Sequence, residues 1–562
     1  MTFSLPDECI ANILEHIHHY DLSTLHCALL INRRWCTEVT SLLWRQPFNV
    51  LGRIDSDHAI NLVPAQRRRL LCGYRYVKLV NSYLPFLSEK TRSAFGIRLN
   101  PTNRPPTFDY PKLLRELDLS DLQTAAYYWC EAHHPVSETK GGHNNTDPEK
   151  TEYRSLADEL CKLFLDRCER FDFLCFNEKE PNKYQLSQLQ ELYPNLYRFT
   201  PSPKCVTRLN GLVIGPTLLE QLYSTGILKH STNVECLRIE GFCKPADYLQ
   251  SFIESQRKLR KLTIDGFWVT KLQTVLPALN SQHSLTYIEF YRCWLNDIAL
   301  LGNYSICQNI ETLRIISCRR NLNAQYFSFT SCHFPRLKRL DFIGIKYDYR
   351  THTSWVGTWG SPPIEELSIL LTRAAGTLQE VNLGLWITDI ESVLPTLMKY
   401  CTNVTRFSAT LTRAEDVLIL LHSLRGFTQL TELSISSLNV LSTQDVLTVY
   451  SSYRAKNMIS VPSHIRKLSI DTEWTSIREP LRWLLKHCEA KLDVISWICT
   501  LNDVKQSLKI IKDYSMRIGR IVQKPHVTGN PAFPDLVRIE VKLCEEDKKA
   551  GEEEMGMTRH FF

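Results

Sequence analysis

Nineteen cysteines and 17 histidines are the side chains of this 562-residue chain best suited to nucleophilic or metal chemistry, and their spacing assembles neither. No C-x-x-C occurs, so a paired-cysteine zinc site has no starting point. His16, His18 and His19 crowd together at the end of an expected helix, where imidazoles suit the negative end of the dipole, and no ligand set is assigned to them. The patterns G-x-G-x-x-G, G-x-S-x-G and H-E-x-x-H and the Walker loop are all absent. Only 21 glycines are present, which leaves little room for loops that cradle phosphate. The expectation is a non-catalytic protein with no cofactor and no metal.

What remains is the chemistry of recognition. Charged and tyrosine side chains recur at even intervals: Arg238 and Glu240, Lys261 and Asp265, then Tyr287, Glu289 and Tyr291. Arg314, Arg339, Asp341 and Arg406 continue the row. This mixture suits a protein-binding surface. The element that must position these residues is written in the same stretches. The pattern L-x-x-L-x-L, or a close variant, appears as VECLRI from Val234, LRKLTI from Leu259, LTYIEF from Leu285, IETLRI from Ile310 and LKRLDF from Leu337. Those starts lie 25, 26, 25 and 27 residues apart. LQEVNL from Leu378, VTRFSA from Val404 and LTELSI from Leu430 follow at intervals of 26. IRKLSI starts at Ile465, LRELDL at Leu114, and weaker copies at Asn195 (NLYRFT) and Leu536 (LVRIEV). In a short strand the apolar pair of each copy faces the core, and the alternate residues form a ladder on the other face.

The units around the strands share a layout. CWLNDIALLGNYSICQNIETLRI and LGLWITDIESVLPTLMKYCTNVTRF both carry a polar helix start, an apolar helical face and Cys-x-Asn before the next strand. The period and layout resemble the cysteine-containing leucine-rich repeats, whose units run about 20–29 residues with one strand and one helix each. Cys293 and Cys318 follow the strands where that class has its cysteine or asparagine, and a structural hydrogen bond to a neighbouring loop is expected of them. The resemblance implies a curved α/β solenoid, a horseshoe, with the charged ladder on its concave face as the target-binding surface.

The first 45 residues differ in kind. Pro6 can open a helix whose apolar stripe is Ile10, Ile13, Leu14 and Ile17. A second helix carries Leu22, Leu25, Ala28 and Leu29, and a third Trp35, Val39, Leu42 and Leu43. So small a unit exposes much apolar surface unless a partner covers it. Leu5-Pro6, Ile10, Ile13, Leu14, Leu25, Ala28, Ile31, Arg33-Arg34-Trp35 and the Leu43-Trp44-Arg45 ending resemble the F-box family. Asn32 departs from the family, which often has a cysteine there. With STLHCALLINRRWC and the YVKLVNSYLPFL stretch, the whole chain is most similar to the large fungal F-box sets. The resemblance implies that Leu5, Pro6, Ile10, Ile13, Leu14, Leu25, Leu29, Ile31 and Trp35 bind a Skp-type adaptor. Through it the chain would reach a cullin–RING ubiquitin ligase as its substrate-recognition subunit.

The expected organisation is a three-helix F-box over 1–46 and a helical connector over 47–110. A repeat solenoid over 111–543 would follow, with a mobile polar loop near 136–152 and a charged tail over 544–562. Net charge is +7, from 67 basic and 60 acidic residues, too balanced to point to nucleic acid. No secretory leader and no apolar run of membrane-spanning length is seen, so a cytoplasmic or nuclear location with reduced cysteines is expected. Two alternatives stay open: a non-ligase repeat scaffold or effector that binds or sequesters the adaptor, and an enzyme with a site within 120–233.

Overall fold

One backbone motif recurs along the chain: a single carbonyl accepts the N–H groups of two consecutive residues at the start of the next strand. Arg115 carbonyl takes Asp172 and Phe173, Asp172 takes Asn210 and Gly211, and Asn210 takes Glu235 and Cys236. Glu235 then takes Arg260 and Lys261. The same step repeats from Thr286 through Glu311, Lys338, Gln379, Thr405 and Thr431 to Arg466. It fixes one strand per unit and sets every neighbour in the same register.

The computed structural model describes residues 6–20, 22–48, 65–97, 106–133, 148–176, 206, 209–215, 219, 222–223, 226, 228–240, 247–266, 275–293, 298, 301, 305–318, 331–343, 364–384, 390–411, 420, 423–437, 461–471, 478–486, 488, 490–500, 503–523, 525–530 and 533–545. The chain divides into two units, one of residues 1–265 and 269–284, the other of 266–268 and 285–562. Both mix helices with parallel strands, so the α/β class read from the sequence holds.

The first unit begins with helices α1 (Asp7–Tyr20), α2 (Leu22–Ala28) and α3 (Arg33–Leu43). Asn32 caps α3, its Oδ1 accepting the Trp35 N–H at 3.0 Å. Helices α4 (Ala65–Tyr83), α5 (Glu89–Ala94) and α6 (Tyr110–Leu113) follow. Strand β1 (Glu116–Asp118) leads to α7 (Leu119–His133) and α8 (Pro148–Arg167). Residues 148–152, expected in a mobile loop, instead open α8, because Pro148 sits in a first turn where its missing N–H costs nothing. Residues 136–147 lie outside the described set. Strands β2 (Phe173–Phe176), β3 (Gly211–Ile214), β4 (Cys236–Glu240) and β5 (Lys261–Asp265) add in parallel to β1, in that order, with α9 (Asp247–Ser255) between the last two.

In the second unit β6 (Tyr287–Tyr291), β7 (Thr312–Ile316), β8 (Arg339–Ile343), β9 (Glu380–Gly384), β10 (Arg406–Leu411), β11 (Glu432–Ser437), β12 (Lys467–Asp471) and β13 (Val494–Thr500) pair in parallel, each with the next. Helices α10 (Ile364–Ala374) and α11 (Ile390–Tyr400) flank β9; α12 (Arg478–Lys486) precedes β13 and α13 (Val504–Ile518) follows it. The second and fourth positions of the strands form the core: Leu262 and Ile264, Ile288 and Phe290, Leu313 and Ile315, Leu433 and Ile435 are all at most 2% exposed. Each such side chain contributes roughly 1.5–3 kcal/mol when buried.

The row ends differently from the expectation. LVRIEV is not a further parallel copy. It lies in β16 (Phe533–Glu545), which runs antiparallel to β13 and also carries β14 (Arg520–Val522) and β15 (His526–Asn530). A returning strand supplies partners for the N–H and C=O groups that a last parallel strand would leave at its edge. Residues 544 and 545, assigned to the tail, belong to this strand. The weak copy at Asn195 lies outside the described residues, as does most of the tail.

Candidate functional site

The three N-terminal helices enclose a small core of Ile10, Leu14, Leu25, Ala28 and Val39, against which Ile17, Leu29, Trp35, Leu42 and Leu43 pack. This sorts the residues expected to bind an adaptor. Ile10, Leu14 and Leu25 are at most 2% exposed and hold the unit together from inside, so they offer no surface to a partner. Leu29 and Trp35 are half-buried. Pro6, Ile13 at 41% and Ile31 at 57% stand outside, beside Leu30 at 87%. Leu5 lies outside the described residues. Leu30 is not among the residues that the resemblance points to. It sits in the turn after α2, where the helical periodicity that selects apolar faces no longer applies.

Within each unit the charged residues fall in more than one in-register row: Glu240 stands opposite Asp265 but Arg238 opposite Thr263, and Tyr287, Arg339 and Arg406 share one row while Glu289, Arg314 and Asp341 share another. Their side chains are not equally available. In the first unit Arg238 pairs with Glu240 on its own strand and reaches Asp265 on the next at 3.2 Å. Asp265 is 3% exposed, so it anchors Arg238 and does not itself face outward. Lys261 is exposed at the head of β5, in register with Cys236.

In the second unit the pairing is denser. Arg314 donates through Nε to Asp341 at 2.6 Å and through Nη1 to the Tyr287 hydroxyl at 3.1 Å and Glu289 at 3.2 Å. Tyr287 donates in turn to Glu289 at 2.5 Å. Arg339 holds the same Asp341, Nη2 to Oδ2 at 3.1 Å. Asp341 is 1% exposed and lies beneath two guanidinium groups, so it too is a structural anion and not a contact residue. Burial raises the Tyr287 phenol above its ordinary pKa, and the hydrogen bond to Glu289 adds to this. Burial works against the Arg314 charge, yet Tyr287, Glu289 and Asp341 together hold its proton more tightly than usual. Tyr291 ends β6 half-buried, with the Arg292 guanidinium 5.0 Å from its ring centre.

The network continues beyond the residues read from sequence. Arg339 pairs with Glu380, Arg406 with both Glu380 and Glu432, and Lys467 with Glu432. Glu380 and Lys467 are not among the site residues read from the sequence, although each opens the strand of a recognised repeat copy and holds the same register as Arg406.

Cys318 bonds a neighbouring unit as expected, whereas the Cys293 Sγ reaches the Tyr291 carbonyl of its own strand at 3.4 Å. Cys318 Sγ lies 3.4 Å from the Phe290 carbonyl of the neighbouring unit and accepts the Cys293 N–H at 3.4 Å. Cys401 Sγ donates to the Leu371 carbonyl at 3.6 Å, and Asn403, two residues on, bonds the Gly376 carbonyl at 2.9 Å. Burial pushes the Cys401 thiol up to about 12, which leaves it protonated and unreactive. Among the described residues no three histidines, cysteines or carboxylates gather as a metal site, and no helix is long and apolar enough to cross a membrane. The side chains of His18 and His19 lie outside the described set.

The arrangement can therefore do two things: present several exposed apolar side chains on the N-terminal helices and the turn after α2, and present fixed, mutually paired charges along parallel strands. Comparison with protein-family models and with curated proteins finds no match to this chain.

Proposed function

We propose that the protein is the substrate-recognition subunit of a Skp–cullin–F-box type ubiquitin ligase. In this reading the N-terminal helices form an F-box that docks a Skp-type adaptor, and the strand-and-helix units form a leucine-rich-repeat solenoid that holds a target protein. The observation that carries the reading is the exposed apolar set Pro6, Ile13, Leu30 and Ile31, left outside a unit whose own core is already filled by Ile10, Leu14 and Leu25. Four exposed apolar side chains on so small a unit are what a protein partner would cover. Ubiquitin transfer belongs to other subunits, and this chain contributes proximity, raising the effective concentration of target lysines near the loaded conjugating enzyme.

Reconstitution tests the reading. The full chain, a Skp-type adaptor, a cullin–RING core, E1, E2 and ubiquitin are combined with a lysate fraction captured by an F-box-deleted form. Ubiquitin conjugation to a captured protein that depends on the full chain is the expected result. Adaptor binding without any such conjugation would favour the scaffold alternative.

A further inference from the structure

Strands β8 to β12 open on five in-register residues: Arg339, Glu380, Arg406, Glu432 and Lys467. Their charges alternate without a break. Each is an ion pair with the next, at 3.4, 2.7, 3.1 and 3.9 Å along the row, and the side chains remain 30 to 55% exposed. Two residues further along four of these strands, on the same face, stand Asn382, Ser408, Ser434 and Ser469, all short, uncharged and half-buried. The charged heads thus border a low polar floor.

We propose that this ladder is a docking track for an α-helical segment of a partner protein, laid across the strands. The facing side chains of that helix alternate in charge at one-turn spacing: carboxylates opposite Arg339, Arg406 and Lys467, and lysines or arginines opposite Glu380 and Glu432. The inference rests on the reading of the repeats as the target-binding part and names the kind of segment they take.

Pitch and charge select this partner. Parallel strands stand about 4.8 Å apart, so five heads cover about 19 Å. A helix rises about 1.5 Å per residue, so positions i, i+4, i+7, i+11 and i+14, all on one face, span about 21 Å. That mismatch is within the reach of long side chains. An extended segment places same-face side chains about 6.8 Å apart and would need about 27 Å for the same five contacts, which loses register. A ligand of uniform sign, such as nucleic acid or a polyacidic peptide, would meet like charge at every second head. The ladder need not break to bind, because a guanidinium carries five N–H donors and a carboxylate several lone pairs. Pairing along the row also holds the heads in place before the partner arrives, which lowers the ordering cost.

Two designed helical peptides test this on the full-length protein. One presents Glu-Lys-Glu-Lys-Glu at the five facing positions and the other Lys-Glu-Lys-Glu-Lys, with compensating charges on the far face so that composition and net charge match. The order of facing charges reads the same in either direction, so either helix polarity presents the same alternation. Fluorescence anisotropy at low ionic strength should show the first binding at least about tenfold tighter, with the preference collapsing near about 0.5 M salt. The double variant Arg406→Gln, Glu432→Gln should abolish the preference while circular dichroism shows an unchanged fold. Equal affinities, saturable binding of neither peptide, or a preference that survives the double variant would overturn the proposal. No adaptor is present in the assay, so its failure leaves the adaptor-binding reading standing, and failure of adaptor binding leaves the peptide result standing.

Discussion

Arg45 and Glu116 are joined twice: the Glu116 N–H donates to the Arg45 carbonyl at 3.0 Å, and their side chains form an ion pair at 3.5 Å. The same carbonyl takes the Arg115 N–H at 2.9 Å. This is the two-donor step that links each strand to the next. The residue that ends the N-terminal helices therefore stands where a preceding strand's carbonyl would be, and β1 continues from it. Trp44 reinforces the join, stacked on Tyr110 at 4.0 Å and edge-on to Tyr83 at 5.3 Å.

Replacing these two residues should separate backbone from side-chain contributions. Arg45→Ala keeps the carbonyl but removes contacts to Glu15, Glu116 and Asp172, all partly exposed, and should cost about 1 kcal/mol or less. Trp44→Ala should cost about 3–5 kcal/mol, since it empties an aromatic contact. Thermal or urea unfolding measures both.

Arg314 and Arg406 lie in the same charged network and should behave differently. Arg314→Gln leaves Asp341, 1% exposed, with Arg339 as its remaining guanidinium partner, and should destabilise by about 1–3 kcal/mol. Arg406 is 55% exposed between two carboxylates, and Arg406→Gln should change stability by about 1 kcal/mol or less. Equal losses in urea unfolding would show that burial of Asp341 does not govern the network.

The sequence made the regular strands legible wherever an apolar pair alternated with polar residues, as in VECLRI or LTYIEF. It hid β2 and β3 because that alternation is lost there. Phe171, Leu174 and Phe176 keep the spacing, as do Leu209, Leu212 and Ile214, but the intervening Cys175 and Val213 are buried as well. Pattern alone also cannot report depth. Asp265 and Asp341 occupy ladder positions like Glu289, yet neighbouring arginines close over them. The N-terminal residues show the same limit: Ile10, Ile13 and Leu14 belong to one apolar stripe, and only packing against α3 decides which of them turn inward.

Asp158 on α8 gives a pH signature. It is 6% exposed, its Oδ2 has no hydrogen-bond partner, and burial, aided by Glu159, pushes its carboxyl from 3.8 up to about 7. The folded state therefore holds a proton that the unfolded chain has released between about pH 4 and 7, so this residue's contribution to stability falls across that window. Asp158→Asn should remove that slope, raising the unfolding temperature at pH 8 more than at pH 4. The same shift at both pH values would mean that the carboxyl titrates normally.

The most direct measurement is the affinity of a purified Skp-type adaptor for the full-length chain and for the double variant Leu30→Asp, Ile31→Asp, by calorimetry. These side chains are 87 and 57% exposed, so the variant should unfold at the same temperature as the parent. Leu14→Ala, by contrast, should cost about 2–5 kcal/mol through the core. Saturable binding to the parent is expected, weakened about 30-fold or more in the folded double variant. No binding to the parent, or equal binding to both, would contradict the assignment of these exposed apolar residues as an adaptor dock.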